Sequence, residues 1–415
     1  MRINPFDQKS GRIDAAVPAL PELYAKPYDK NTVDPYTKVR IILMNGTEFE
    51  ANWFSHQLHR HTVDNNLRRE LALMRRVEQL QQKHLASLKP IDETLLETTI
   101  GYEQVAVDLT AALAAREPDK YVKQAFDFAL LEDFDHLYRY ADLLEMEHGI
   151  SAERLVGGYT EIMPGRPTIA EHRHPFDDVR RSIDSKTAHP LTKLGVGIIT
   201  AAEQQTMNYY MNVGSFYTSD LGRKLYAEIA MIEEQHVSHY GSLMDAKATW
   251  LENLLMHEYT ECYLYCSCYH DETDEYVKSI WEQHYMQETA HLHKAAELLG
   301  KYEGKDWSQV IPGGDFPELL RLHSNKEYVR NVLKTVKLAS NREDYTDISK
   351  LPDNHDFFTY QDKLIGGSVQ NVASHTVIDE YIGDNGKDYR FEEARHPMPE
   401  LADRRKDNTQ IARTR

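Results

Sequence analysis

A mainly α-helical chain made of antiparallel helical hairpins is the fold class this sequence predicts, on three observations. Between Pro190 and Pro312 there is no proline, and apolar residues recur at helical spacing through four runs near 191–217, 220–245, 249–269 and 273–299. Two earlier runs, 92–115 and 119–148, flank Arg116-Glu117-Pro118-Asp119, a helix stop followed by a new N-cap. Three of these helices carry an acid-x-x-His pattern in a common register. The expectation is three repeated hairpins, 92–148, 191–246 and 249–299, in a helical region spanning 64–299, with an irregular N-terminal extension and a C-terminal arm.

Residues 1–63 hold Pro5, Pro18, Pro21, Pro27 and Pro35 with little periodicity. Asn45-Gly46 between two apolar arms predicts a small β-hairpin there. Asn45-Gly46-Thr47 also spells a glycosylation acceptor, with no secretory signal to accompany it. From Asp64 to Leu88 the pattern is helical, and Pro90 with Asp92 ends it. Residues 149–190 contain Gly149, Gly157-Gly158, Pro164, Gly165, Pro167, Pro175 and Pro190, and read as a long crossover. In 300–415 one helix is expected near 316–338, followed by a polar arm with no assigned chemistry.

Of the 415 residues 48 are basic and 66 acidic, a net charge of −18, which argues against a nucleic-acid groove or an anionic membrane as the main partner. Hydrophobic content of 41% and charged content of 27% exclude wholesale disorder. No stretch approaches the roughly 18 apolar residues of a membrane span, and MRINPFDQKS lacks the apolar core of a signal peptide, so a cytoplasmic location is expected. Cys262, Cys266 and Cys268 match neither a disulfide framework nor a zinc spacing and read as small buried residues.

The chemistry lies in the repeat. Asp133-Phe-Asp-His136, Glu233-Glu-Gln-His236 and Glu288-Thr-Ala-His291 align, and thirty residues before each acid stand Glu103, Glu203 and Glu258. On a helix an i, i+3 pair lies on one face about one turn apart, so acid and imidazole can grip one ion. Phe126, Tyr226 and Trp281, seven residues before the acids, place the motif on an apolar stripe where unpaired carboxylates are costly.

With these residues the chain resembles the ferritin-like di-metal carboxylate superfamily. YAEIAMIEEQHVSHYGSLMD resembles the second ligand helix of rubrerythrin-type members, and Glu258-Tyr-Thr-Glu261 their E-x-x-E helix. The resemblance covers about residues 92–299 and implies a ferritin-like antiparallel helical bundle holding two iron ions, or manganese, between two hairpins. The long crossover favours Glu103, Asp133 and His136 facing Glu203, Glu233 and His236. The alternative hairpin offers Glu258, Glu288 and His291. Asp133 is shorter than the family's Glu, which leaves Glu132 open as a partner of His136.

The resemblance further implies an oxidoreductase reacting with dioxygen or peroxide. Lacking paired C-x-x-C motifs, the chain would need an external electron donor. The rival expectation is a non-catalytic helical interaction or structural protein with a vestigial metal site. Association into a homo-oligomer is left open. Arg166, His172, Arg173 and His174 in the crossover, and His56, His59 and His61, read as solvated or structural. Tyr209, Tyr226 and Tyr240 could approach a metal, with core packing as the default.

Overall fold

The computed structural model describes residues 2–389 and 394–412. It is mainly helical, with twelve helices and little sheet. Eight long helices form four hairpins: α1 Pro35–His61 with α2 Asn65–Ala86, α3 Leu95–Arg116 with α4 Lys120–His148, α6 Pro190–Phe216 followed by α7 Asp220–Gly241, and α8 Trp250–Asp271 with α9 Glu275–Glu303. A single turn, α5 Glu153–Val156, interrupts the crossover. The C-terminal region carries α10 Lys326–Val332, an antiparallel pair β1 Leu338–Asn341 and β2 Asp344–Asp347, α11 Asp356–Ile365 and α12 Ala373–Asn385.

Three sequence expectations change here. Residues 35–61 are helical straight through Asn45-Gly46, so the expected β-hairpin is absent and α1/α2 form a fourth helical hairpin. A local turn signal lost to tertiary packing: Asn45 donates to the Gln205 side-chain carbonyl at 2.6 Å, and a Cβ on Gly46 would stand 2.6 Å from Gln205 Nε2. The expected helix near 316–338 is reduced to the seven residues of α10. The C-terminal region is no loose arm, since α12 packs on α4 and α7 and contributes Val377 and Ile378 to their core. Residues 413–415 of that arm lie outside those described.

The helices reveal a longer repeat. α1, α2, α3 and α4 have 27, 22, 22 and 29 residues, and α6, α7, α8 and α9 have the same lengths in the same order, each starting 155 positions later. The caps repeat too. Thr94 with Glu97 and Thr249 with Glu252 are capping boxes, Asp119 and Asp274 cap the next helix, and Gly149 and Gly304 end it with φ of 64° and 65°.

The chain divides into two compact units. Unit 1 comprises Met1–Glu93, Ser182–Gln205 and Met244–Leu322; unit 2 comprises Thr94–Arg181, Thr206–Leu243 and His323–Arg415. In unit 1, α1 packs on α8 and α2 on α9. In unit 2, α4 packs on α3 and α7, while Tyr210 of α6 meets Tyr226 of α7 at a ring separation of 5.7 Å. Unit 1 therefore takes α1/α2 from the first half of the repeat and α8/α9 from the second, while unit 2 takes α3/α4 from the first half and α7 with the end of α6 from the second. Leu71, Phe126, Tyr226 and Trp281, the residues seven before each acid, are all fully buried.

The crossover runs tightly over α4. A Cβ at Gly165 would stand 2.5 Å from the Leu131 carbonyl oxygen and 2.8 Å from the Asp135 nitrogen, both backbone atoms that cannot swing aside. Gly165→Ala is expected to cost about 1–3 kcal/mol, as overpacking does, read by urea denaturation. An unchanged midpoint would show that the crossover is not fixed by this approach.

Candidate metal centres

Unit 2 gathers its acids and imidazoles from three elements. α4 supplies Glu132, Asp133 and His136 over little more than one turn, α7 supplies Glu233 and His236, and α3 supplies Glu103; all six are buried. Glu103, His136 and Glu233 can offer one ligand atom each within 4.8 Å of one another. His236 Nδ1 lies 3.3 Å from Asp133 Oδ1 and 3.4 Å from Glu233 Oε2, while His136 Nδ1 lies 2.9 Å from Glu233 Oε1. Glu233 thus stands between the two imidazoles, where a bridging carboxylate would sit.

The outward nitrogens are held as well. His136 Nε2 meets Glu171 at 3.0 Å and His236 Nε2 meets Glu132 at 2.8 Å. Carboxylates placed this way fix the tautomer and ring orientation of a ligating histidine. Glu132 is therefore the outer partner of His236 across the helices, and not an i, i+4 partner of His136. Its far oxygen is paired with Arg173, and Arg173 Nε binds Asp178 at 2.8 Å. Tyr210 donates to Glu103.

The charges are coupled accordingly. Burial would raise the Glu132 carboxyl, but Arg173, His236 and Arg166 outweigh it and hold it at about 2. Burial raises Glu171 to about 8 against the pull of His136. Burial works to neutralise His136, yet Glu171 and Glu233 win and hold its pKa well above the usual imidazole value. Burial pushes the Tyr210 hydroxyl well up, with Glu103 adding to it, so it keeps its proton.

Sequence reasoning missed Glu171, and of the two readings given for the crossover residues Arg166, His172 and Arg173, solvated or structural, their burial excludes the first. The PGRPTIAEHRHP stretch carried no helical spacing that could tie it to the repeat, because it reaches the centre from an irregular segment. The other expectations stand differently. Glu203 is buried on α6, in the segment of unit 1 that ends less than one turn before Thr206. His56 and His61 are exposed, and the three cysteines are buried and free. Tyr226 bonds to Thr99, while the Tyr240 ring stands 6.3 Å from that of His236.

The hairpin weighed as the alternative lies in unit 1, in a cluster of its own. Glu78, Glu258, Glu288 and His291 can each offer a ligand atom within 4.8 Å of the others, and so can Glu48, Glu78 and Glu261. His291 Nδ1 is 2.7 Å from Glu78, 3.1 Å from Glu288 and 3.7 Å from Glu258. Glu48 and Glu78 come from α1 and α2 and were not singled out in the sequence, although they too are thirty residues apart. Gln81 follows Glu78 at the histidine position and donates to Glu288.

Comparison with protein-family profiles, with curated proteins and with solved structures gives no match. What the chain itself supports is a mainly helical protein with buried acid/histidine clusters able to bind metal. No helix among the described residues is long and apolar enough to cross a membrane.

Proposed function

We propose that unit 2 is a ferritin-like two-cation carboxylate centre, taking iron or, alternatively, manganese, and that the protein is an oxidoreductase acting on dioxygen or peroxide with electrons from an external donor. One observation supports this reading above the others. Both imidazoles turn Nδ1 toward Glu233 while their Nε2 sides are held by separate carboxylates, Glu171 and Glu132. A merely structural ion-pair network gives no reason for that shared orientation, whereas cation ligation does.

The ligands would be Glu103, Asp133, His136, Glu233 and His236. The thirty-residue spacing that ties Glu103 to Asp133 ties Glu203 to Glu233, which adds Glu203 to the proposed set. Carboxylate and imidazole donors suit iron and manganese, and a redox-active pair of such ions supplies the two electrons that reduction of peroxide takes. The protein's part is to hold the donors ionised. Arg173 keeps Glu132 anionic, Glu132 and Glu171 orient the rings, and Tyr210 steadies Glu103 by a hydrogen bond. All of this lies in a site closed to solvent, where fixed charges act strongly.

The test is dioxygen consumption by apoprotein loaded with iron(II), compared with Glu233→Gln and Glu203→Gln. Wild type is expected to oxidise bound iron at least 10-fold faster than Glu233→Gln, which removes the central carboxylate. Iron oxidation no faster than in buffer would sink the oxidoreductase reading. Absence of any tightly held metal would favour the helical interaction protein.

A further inference from the structure

We infer that unit 1 holds a second cation centre, separate from the one in unit 2, and that it favours manganese over iron more than the unit 2 centre does. The 155-position repeat carries the argument. It sends Glu203, Glu233 and His236 back onto Glu48, Glu78 and Gln81, and Glu103, Asp133 and His136 forward onto Glu258, Glu288 and His291. All six positions recur, five of them as metal-binding residue types. Unit 1 places Glu48, Glu78, Glu258, Glu288 and His291 in two overlapping groups that share Glu78, the position of a bridging carboxylate.

A group of acids alone is no site, but these acids are buried with their oxygens unused. Glu48 Oε2, Glu258 Oε2 and both carboxylate oxygens of Glu261 have no hydrogen-bond partner, and none of the three residues is more than 2% exposed. Unmet buried carboxylate oxygens are costly unless a cation or proton meets them. The two groups together hold five carboxylates and one imidazole, an excess of negative charge that one histidine cannot balance. The remaining nearby base, His257, is turned to Glu50 at 3.1 Å and stands 3.6 Å from Glu261. An apolar cavity lined by Glu50, Phe54, Met256, His257 and Thr260 adjoins this side and offers an entry path.

The donor set shifts the preference toward manganese. Gln81 stands where unit 2 has His236, and Glu288 where unit 2 has the shorter Asp133, so unit 1 has lost a nitrogen and gained oxygen-rich reach. Oxygen donors suit manganese and similar hard cations, while imidazole strengthens the case for iron. This inference stands apart from the unit 2 function, since either centre can bind without the other.

The experiment uses the full chain, stripped of metal and then supplied with equal manganese(II) and iron(II) under anaerobic conditions. Anomalous diffraction at the two absorption edges locates each metal. The ratio of manganese to iron is expected to be higher among Glu78, Glu258 and Glu288 than among Glu103, His136 and Glu233. In solution, Glu78→Gln and, separately, Glu258→Gln are expected to lose roughly half of the bound metal. No density in unit 1, a manganese-to-iron ratio there no higher than in unit 2, or wild-type metal content in both variants would each overturn the proposal. Wild-type crystals decide the matter even where a variant fails to fold. Metal in unit 1 with none in unit 2 would overturn the proposed function and leave this inference intact.

Discussion

Chelator treatment of the metal-loaded protein is expected to lower its thermal midpoint by roughly 8–16 °C. A cation present at about 1,000 times its dissociation constant stabilises the folded state by about 4 kcal/mol, and each kcal/mol moves the midpoint of a unit this size by about 2–4 °C. The effect is large because of what stays behind: Glu103, Asp133 and Glu233 in unit 2, and Glu48, Glu78, Glu258, Glu261 and Glu288 in unit 1, are all buried carboxylates. Returning manganese or iron should restore the midpoint. A midpoint indifferent to chelator would mean that these clusters neutralise themselves with protons.

The second large effect is a reversal of pH dependence. In the metal-free protein, His136 and His291 have pKa values raised above the imidazole value despite burial, through their carboxylate neighbours. Such groups stabilise the fold fully below about pH 6.5, and that stability is lost as pH rises through the folded-state value. Glu171 is raised to about 8 by burial, and Glu48, Glu258 and Glu261 well above the usual range by burial and like charge. Each of these binds a proton in the folded state that the unfolded chain has shed above about pH 4.3, so they too lose stability as pH rises. Glu132, held at about 2, works the other way, but only in acid, and His172, His239, His284 and His396, whose pKa values burial pushes down, work the other way up to about pH 6.5.

From about pH 7 to pH 8 the apoprotein should therefore weaken, by up to about 1.4 kcal/mol per pH unit for each group in its window. Metal binding displaces those same protons, so the loaded protein should strengthen over that range. Urea midpoints at pH 7.0, 7.5 and 8.0, with and without metal, check the sign. Parallel slopes for the two forms would refute it.

How far the sequence disclosed all this depends on the element. The helices from 92 to 299 were legible because an uninterrupted 3.6-residue periodicity and strong caps agree there with the packing. α1 was not, because Asn45-Gly46 is a strong hairpin signal locally, and only the close approach of Gln205 shows why a glycine is needed inside a helix. The fourth copy of the motif escaped notice for a chemical reason. Gln81 keeps the length and donor of a side chain reaching Glu288 but has no imidazole, so a search keyed to acid-x-x-His passes over Glu48 and Glu78. The 155-position offset would have exposed them. Glu171 could not have been found by spacing, since an irregular crossover brings it to His136. The switch of Glu132 to His236 depends on how α4 and α7 face each other, which no single-helix rule encodes.

The way the hairpins are shared bears on how the chain reaches its native state. Unit 1 joins α1 and α2 to α8 and α9, so its first two helices must await a partner that begins at Trp250. During synthesis α3 and α4 emerge much earlier, and they are the repeat equivalents of α8 and α9. A nascent chain can therefore pair α1/α2 with the wrong hairpin, close by in sequence and built to the same lengths, before the right one exists. Closing the longer loop costs little extra entropy, but the nearer pairing forms first and must come apart. Slow refolding through a compact, non-native intermediate, hastened by weakening the α1/α2 fit to α3/α4, is the kinetic signature this duplication leaves.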